Sequence, residues 1–245
     1  MTVFQQVREE VERRPDGAVL TIEDFAVPPE QLGAVAKSLS RLSQQGRLKR
    51  LMKGLYFKPF MGILGEVTIP YYDVLVRKLL ELYKDRISYI TGTNAYSGMS
   101  LTTQIANEVV IATDRPRAPL QIGPTKVRFI RSHITEAIGE EAAPVALLLD
   151  AIWEIKDIPA TTPAKAARIL RGRVRELTKR QRQELSRLAL AYYPPKTRAL
   201  TGLLLETIGE KSLARQLKAS LNPLTVFRLG LDEADFPTYR TWNIL

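Results

Sequence analysis

The order of hydrophobic and polar residues predicts helices and a hairpin in the first part of the chain. Apolar side chains recur every three or four residues in two segments, and the capping pair Thr21 and Asp24 opens a shorter helical segment between them. The predicted elements are helices over 3–13, 22–26 and 30–45 and hairpin strands over 48–53 and 55–58. This order of elements is typical of a winged helix-turn-helix, in which the third helix recognises DNA and the hairpin is the wing.

The third predicted helix has an apolar face and a polar face. Its apolar face is formed by Leu32, Val35, Ala36, Leu39 and Leu42. Its opposite face carries Ala34, Lys37, Arg41, Gln44 and Gln45. Gly46 is expected to end the helix because a C-terminal cap commonly needs a left-handed residue.

Charge gives this unit its functional interpretation. No Asp or Glu occurs between Gln31 and Gly65. The whole chain has a formal net charge of +10, from 36 Lys and Arg against 26 Asp and Glu. Residues 1–58 contribute +3 (10 basic minus 7 acidic), and the remainder contributes +7 (26 minus 19). A basic helix–hairpin unit is suited to duplex DNA, whose major groove admits a helix.

Two kinds of DNA contact are expected. Arg41, Gln44 and Gln45 are long enough to read base edges. Phosphate contacts are expected from Lys37, Ser38, Arg47, Lys49, Arg50 and Lys53. The alternatives are an ordinary solvated helix face and a winged helix that docks a protein.

A second, larger domain is predicted after a linker. The Gly- and Pro-containing segment 59–70 is the expected linker, and residues 71–245 are the expected second domain. Its predicted elements are a helix over 72–83, strands over 108–113, 120–122 and 125–131, and helices over 144–155, 163–177, 179–193, 196–208 and 211–221. We therefore expect an α+β fold, with a winged helix followed by a mixed α/β domain that ends in helices. Trp242 is expected to anchor the irregular tail to the core.

A second basic surface is a candidate in this domain. Cations recur at spacings of three and four, which places them on one side if the helix is unbroken. They are Lys165, Arg168, Arg171, Arg175, Lys179 and Arg182. A solvated charged face is the alternative interpretation.

Catalytic candidates are weak. Asp150 and Glu154 lie one helical turn apart, but a capping or ion-pair face is the better explanation. The acidic cluster of Asp232, Glu233 and Asp235 is expected to be a flexible loop. His133 is the only histidine and no cysteine is present, so we expect no zinc site, no metal and no cofactor. The glycines of TGTNAYSG and GEKS do not match nucleotide-binding spacings.

Targeting signals are not evident in the chain. No apolar segment approaches the roughly 20 residues that span a bilayer, and the N-terminus lacks a signal-peptide core. The absence of cysteine is compatible with a reducing compartment. We therefore expect a cytoplasmic protein that does not bind membranes.

Several motifs resemble AbiEi-type antitoxins of abortive-infection toxin–antitoxin operons. They are the winged-helix stretch LSRLSQQGRLKRLMKGLYFKP, the segment ITGTNAYSGMSLTTQIANEVVIATDRP, the predicted strand over 125–131, and the closing WNI. The resemblance implies a bacterial autorepressor that binds inverted repeats in its own promoter. It also implies that the second domain counteracts a nucleotidyltransferase-like toxin, with or without direct binding.

The sequence thus predicts a DNA-binding repressor without enzymatic activity. The first rival is a nuclease or other nucleic-acid-modifying enzyme delivered by the winged helix, for which Glu108, Asp150 and Glu154 are the available acids. The second rival is a protein-docking adaptor, which would show no salt-sensitive affinity for DNA.

Overall fold

The structure, a computed structural model, describes residues 1–245 and has an α+β fold. The chain divides into two compact units. The first unit contains residues 1–83 and 120–126, and the second contains residues 84–119 and 127–245.

The first unit begins with two α-helices and a small sheet. The helices are α1 (Val3–Arg13) and α2 (Leu32–Gln44), and the strands are β1 (Val19–Leu20), β2 (Lys49–Met52) and β3 (Leu55–Phe57). The strands are antiparallel and lie in the order β1–β3–β2. The predicted second helix is instead a single 3-10 turn over Ile22–Asp24, although its Thr21–Asp24 capping box is present. Such a short segment closes too few hydrogen bonds to extend as an α-helix.

Apolar side chains of α1 and α2 form the core of this unit. Val7 and Val11 of α1 are buried with Val35, Leu39 and Leu42 of α2. Beyond α2, the positive φ of 75° at Gly46 lets the chain reverse, and Arg47 N–H donates to the Leu42 carbonyl at 3.0 Å. The next residue, Leu48, is buried in the same core and ties the β2–β3 hairpin to α2.

The expected linker, residues 59–70, contains a second hairpin. Strand β4 (Phe60–Gly62) pairs antiparallel with β5 (Gly65–Val67), and α3 (Tyr72–Leu82) follows. Helix α3 groups with the first unit, so the division falls after Tyr83 rather than at the expected linker.

An ion pair between Lys78 and Asp24 connects α3 to the 3-10 turn. The Lys78 Nζ–Asp24 Oδ1 distance is 2.6 Å, and both side chains are largely buried. Burial alone would raise the pKa of Asp24, but hydrogen bonds from Lys78 and Thr21 hold that pKa below its ordinary value. The two partners are 54 residues apart in the sequence. Helical spacing alone therefore gave no sign that α3 belongs with the first unit.

The second unit contains β6 (Ser88–Thr91), β7 (Glu108–Thr113) and most of β9 (Thr125–Arg131) of a four-stranded sheet, followed by helices. The fourth strand, β8 (Leu120–Ile122), groups with the first unit together with residues 123–126, and the strands lie in the order β6–β7–β9–β8. The bounds of β7, β8 and β9 confirm the predicted strands. Strand β6 and the short helix α4 (Thr93–Gly98) were not predicted.

Five helices complete the second unit and confirm the predicted helical region to within two residues at each end. They are α5 (Ala143–Trp153), α6 (Pro163–Glu176), α7 (Lys179–Tyr192), α8 (Pro195–Thr207) and α9 (Lys211–Ala219). Helices α5 and α8 are buried on most sides and form the centre of the core.

Trp242 anchors the C-terminal tail, as predicted. Its side chain is 1% exposed and lies against Gly202 of α8. The indole N–H donates to a Glu206 carboxylate oxygen at 2.7 Å, and the Lys218 ammonium lies over the ring. The tail is also held by a parallel bridge between Phe227 and Ile244.

We predict that Gly202→Ala destabilises the second unit by about 1–3 kcal/mol. A Cβ at this position would lie 2.2 Å from two Trp242 ring atoms, so either the ring or the helix must shift. The measurement is urea denaturation followed by tryptophan fluorescence. Both tryptophans, Trp153 and Trp242, lie in the second unit, so this signal reports on that unit.

Gly172→Ala is the matched control. Gly172 also lies inside a helix, but apart from the adjacent backbone of that helix nothing lies within 4 Å of the position of an added Cβ. Because alanine is a better helix former, this substitution should stabilise by about 0.5–1 kcal/mol. Equal effects of the two substitutions would contradict the close packing of Trp242 on α8.

Candidate nucleic-acid interface

The outward face of α2 carries four of the predicted DNA-binding residues. Lys37, Arg41, Gln44 and Gln45 are all exposed, because the residues between them fill the core. At the N-terminal end of the same face, Gly33 and Ala34 are exposed and have no long side chain. At its N-terminal end this face has no long side chains, so a binding partner can approach the helix backbone closely. The rest of the face carries long polar side chains.

Arg41 is held in place by an aromatic ring of α1. Its guanidinium carbon lies 4.4 Å from the centre of the Phe4 ring, which is cation–π geometry. The stacking restricts the long side chain while its N–H groups, which lie in the guanidinium plane, remain able to donate. Phe4 lies 37 positions before Arg41 in the sequence, so helical spacing gave no sign of this contact.

The prediction that Ser38 contacts phosphate is wrong. Its side chain is only 5% exposed, and its hydroxyl donates to the Ala34 carbonyl at 2.8 Å. A serine inside a helix often satisfies its hydroxyl in this way. Ser38 lies between the buried residues Val35 and Leu39 on the helix surface, so it faces the core.

The β2–β3 hairpin carries further cations. Lys49, Arg50 and Lys53 are exposed, and none of them is in an ion pair. Gly54 has a φ of 81°, which allows the tight reversal next to Lys53. An irregularity in the β2–β3 register between Arg50 and Met52 locally changes the direction of the strand.

Arg47 is not free, in contrast to the other hairpin cations. Its guanidinium pairs with Glu12 near the end of α1, which also lies near Arg8. Glu12 is 35 residues away in the sequence, so this pairing follows from the packing of the two helices. Arg47 therefore connects α1 to the start of the hairpin, and its charge is already partly neutralised.

The second predicted basic surface is divided between two helices. Helix α6 ends at Glu176 and α7 begins at Lys179, so the cations do not lie on one continuous helix. Arg182 is engaged in the protein: it pairs with Glu210 at 2.8 Å and donates to the Val174 and Arg175 carbonyls at the end of α6.

Two other cations of this surface hold the C-terminal tail. Arg168 pairs with Asp235 at 3.2 Å, and Arg171 donates to the Asp235 carbonyl and lies over the Phe236 ring. Asp235, which belongs to the acidic segment that was predicted to be a flexible loop, is therefore bound to α6. Lys165, Arg175 and Lys179 remain exposed and outside ion pairs.

The acidic residues considered for catalysis have separate partners. Glu108 forms a two-point ion pair with Arg128, with N–O distances of 2.6 and 3.0 Å. Glu154 accepts a hydrogen bond from Tyr96 at 2.7 Å. Both glutamates line a cavity of about 280 Å³.

Asp150 lies deeper and accepts two tyrosine hydroxyls. Tyr193 donates at 2.7 Å and Tyr89 at 3.0 Å. Burial raises the pKa of Asp150 despite these bonds. The side chains of Asp150 and Glu154 thus accept tyrosine hydroxyls and do not form an ion-pair face. Glu154 is also the C-cap residue of α5, and its backbone N–H donates to the Asp150 carbonyl.

The remaining features add no chemistry to this surface. No group of three or more His, Cys, Asp or Glu side chains is arranged to hold a metal ion. The His133 ring lies against the rings of Trp153 and Tyr193. None of the helices combines the length and the apolar composition that a membrane-spanning segment requires.

Comparisons with known proteins place the chain in a family. No curated protein matches it. The structure is similar to the crystal structure of the RV2827C protein from Mycobacterium tuberculosis, with a TM-score of 0.52 and 17% sequence identity over 94% of this chain and 86% of that one. At this identity the similarity concerns the fold alone. A family model matches residues 6–176, more than half of the chain, and the chain therefore belongs to DUF6088, a family of unknown function.

Proposed function

We propose that the first unit is a winged helix-turn-helix that binds duplex DNA, with α2 as the recognition helix and the β2–β3 hairpin as the wing. One observation carries the proposal: the exposed face of α2 and the adjoining hairpin present cations and glutamines without an acidic residue between Gln31 and Gly65. The small antiparallel sheet, in which β1 from between the two helices pairs with the hairpin in the order β1–β3–β2, supports it.

The length of each side chain and its contacts within the protein indicate whether it is suited to a base or to a phosphate. Arg41, supported by Phe4, is suited to donate two hydrogen bonds to a guanine edge in the major groove. Gln44 and Gln45 are suited to adenine. Lys37, near the N-terminal end of this face of α2, is suited to a phosphate.

The hairpin extends the phosphate-binding surface. Lys49, Arg50 and Lys53 are exposed cations that can neutralise the DNA backbone and set the register of α2 in the groove. Arg47 contributes less than the sequence predicts because Glu12 already holds it.

We also propose a biological role, which is based on the sequence resemblance to AbiEi-type antitoxins. In this role the protein is a bacterial, cytoplasmic autorepressor that binds inverted repeats in its own promoter. It also acts as the antitoxin that counteracts a nucleotidyltransferase-like toxin of the same operon. The support is the set of motifs in the first unit and in the segment from Ile90 to Pro116. The proposal includes no enzymatic activity, and it does not depend on direct binding of the toxin.

We predict that Arg41→Ala lowers operator affinity by about 1–3 kcal/mol and relaxes specificity at one base position. The physical reason is the loss of a two-point contact to one base. Gel shifts against the upstream DNA and against single-base variants of it measure both effects. Unchanged affinity and unchanged base preference would contradict the assignment of Arg41 as a base reader.

Lys156→Ala is the matched control for the loss of one positive charge in Arg41→Ala. Lys156 is exposed, outside ion pairs, and follows α5 in the second unit. This substitution removes the same unit charge without altering the proposed interface. It should leave base preference unchanged.

We predict that Lys53→Ala weakens binding to all DNA sequences by a similar factor. Its exposed ammonium is placed to neutralise one phosphate, so the slope of log K against log salt should become shallower by about 0.9. The measurement is a salt titration of binding to operator and unrelated duplexes. A loss of affinity confined to the operator would show instead that Lys53 reads bases.

The proposed antitoxin activity can be tested separately from DNA binding. We predict that co-expression of the full chain restores growth to cells that produce a nucleotidyltransferase-like protein encoded in the adjacent reading frame. The Arg41→Ala variant serves as a control that separates DNA binding from protection. Persistent growth arrest with the wild-type chain would contradict the antitoxin role and leave the DNA-binding proposal standing.

A further inference from the structure

Glu12 lies between two arginines at the surface of the first unit. Its Oε1 atom pairs with Arg47, which precedes β2, and lies 3.9 Å from the Nε atom of Arg8 in α1. All three side chains are about half exposed. The ion pair between Glu12 and Arg47 is therefore open to water and to any anion that approaches this surface.

The backbone of Arg47 is fixed, whereas its side chain is not enclosed. The Arg47 N–H donates to the Leu42 carbonyl at 3.0 Å, and Gly46 forms the turn that precedes it. Arg47 can therefore exchange its partner by changing its own rotamer, without movement of α2 or the hairpin. When Arg47 leaves, Arg8 remains beside Glu12, so the carboxylate keeps a cationic neighbour.

The position of Arg47 in the chain places it where the two parts of the proposed interface join. Gln45, an exposed candidate base reader, comes two residues before it, and Lys49, an exposed candidate phosphate contact, comes two residues after it. A guanidinium is suited to a phosphate because it can donate two parallel hydrogen bonds. Glu12 and a DNA phosphate therefore compete for the same N–H groups of Arg47.

Helix α1 contacts the two arginines of this surface in different ways. The Phe4 ring carries no charge, so Arg41 keeps its full charge for DNA. Glu12, about two turns further along α1, neutralises Arg47 and also repels phosphates. The same helix thus leaves Arg41 available to DNA and holds Arg47 back.

We infer that the Glu12–Arg47 ion pair is an autoinhibitory contact, which withholds one phosphate contact from the DNA interface. The inference rests on the proposed function. An exposed ion pair changes an equilibrium constant by up to about fivefold. One phosphate contact gains about eightfold in affinity when the salt concentration falls tenfold. Because the two effects are similar in size, removal of the Glu12 carboxylate shifts Arg47 to the DNA.

Glu12→Ala tests the inference, because it releases Arg47 and retains a good helix former in α1. Affinity for duplex DNA of any sequence should rise about three- to fivefold at low salt, and the slope of log K against log salt should become steeper by up to about 0.9. The measurement is the fluorescence anisotropy of a labelled duplex over a series of salt concentrations. Unchanged affinity and slope would overturn the inference.

Glu9→Ala is the matched control for the loss of one negative charge from α1. Glu9 pairs with Arg13, one turn later in the same helix, and not with a residue of the proposed interface. This substitution should change the affinity by less than about twofold. A gain equal to that of Glu12→Ala would show that net charge alone raises the affinity, and the inference would then be wrong.

Arg47→Ala shows whether Arg47 provides the gain. Alone, it should lower the affinity by at most about twofold, because Glu12 already holds the guanidinium. Combined with Glu12→Ala, it should abolish the gain, as expected for two coupled residues. A gain that persists without Arg47 would mean that Glu12 acts only by repelling phosphates, which would overturn the inference.

The wild-type chain in the same titration separates this inference from the proposed function. A wild-type chain without salt-sensitive affinity for duplex DNA would contradict the DNA-binding proposal, and the inference with it. Salt-sensitive binding by the wild-type chain, with no gain from Glu12→Ala, would overturn the inference alone.

Discussion

The burial of one face of α2 is the constraint on which the first unit depends. Val35, Leu39 and Leu42 pack against α1, and Leu48 attaches the β2–β3 hairpin to the same core. Because helical geometry fixes the angle between successive side chains, burying these residues determines which others face solvent. Arg41 then lies outside and Ser38 inside. The proposed interface is thus a consequence of core packing rather than of charge alone.

Periodicity predicted much of the fold, and contacts between distant residues account for most of the differences. The helices from α5 to α9 and the strands β7 to β9 follow spacing rules that act within a few residues. Strand β1 has only two residues and exists because it pairs with β3, which no local pattern indicates. Helix α3 was predicted as a helix, but it groups with the first unit, to which the Lys78–Asp24 ion pair connects it across a long stretch of sequence.

The candidate site shows the same limit. The exposed face of α2 could be predicted from spacing. Whether each cation forms an ion pair within the protein could not. Arg47 is held by Glu12, and Arg168 and Arg182 by Asp235 and Glu210, all through contacts between distant parts of the chain. Cations with an internal partner contribute to the fold. On α2 and the β2–β3 hairpin the exposed cations outside ion pairs are Lys37, Arg41, Lys49, Arg50 and Lys53, and these are the charges that the proposed interface uses.

The most direct test of DNA binding is the salt dependence of the affinity of the full chain for the DNA upstream of its own gene. The four cations assigned to phosphates, Lys37, Lys49, Arg50 and Lys53, each neutralise one phosphate in this account, which predicts a slope of log K against log salt of about −4. Binding to the upstream DNA should also be tighter than to a duplex of scrambled sequence at the same salt concentration. A slope near zero, or equal affinity for the two duplexes, would contradict a sequence-reading DNA interface on α2 and the hairpin.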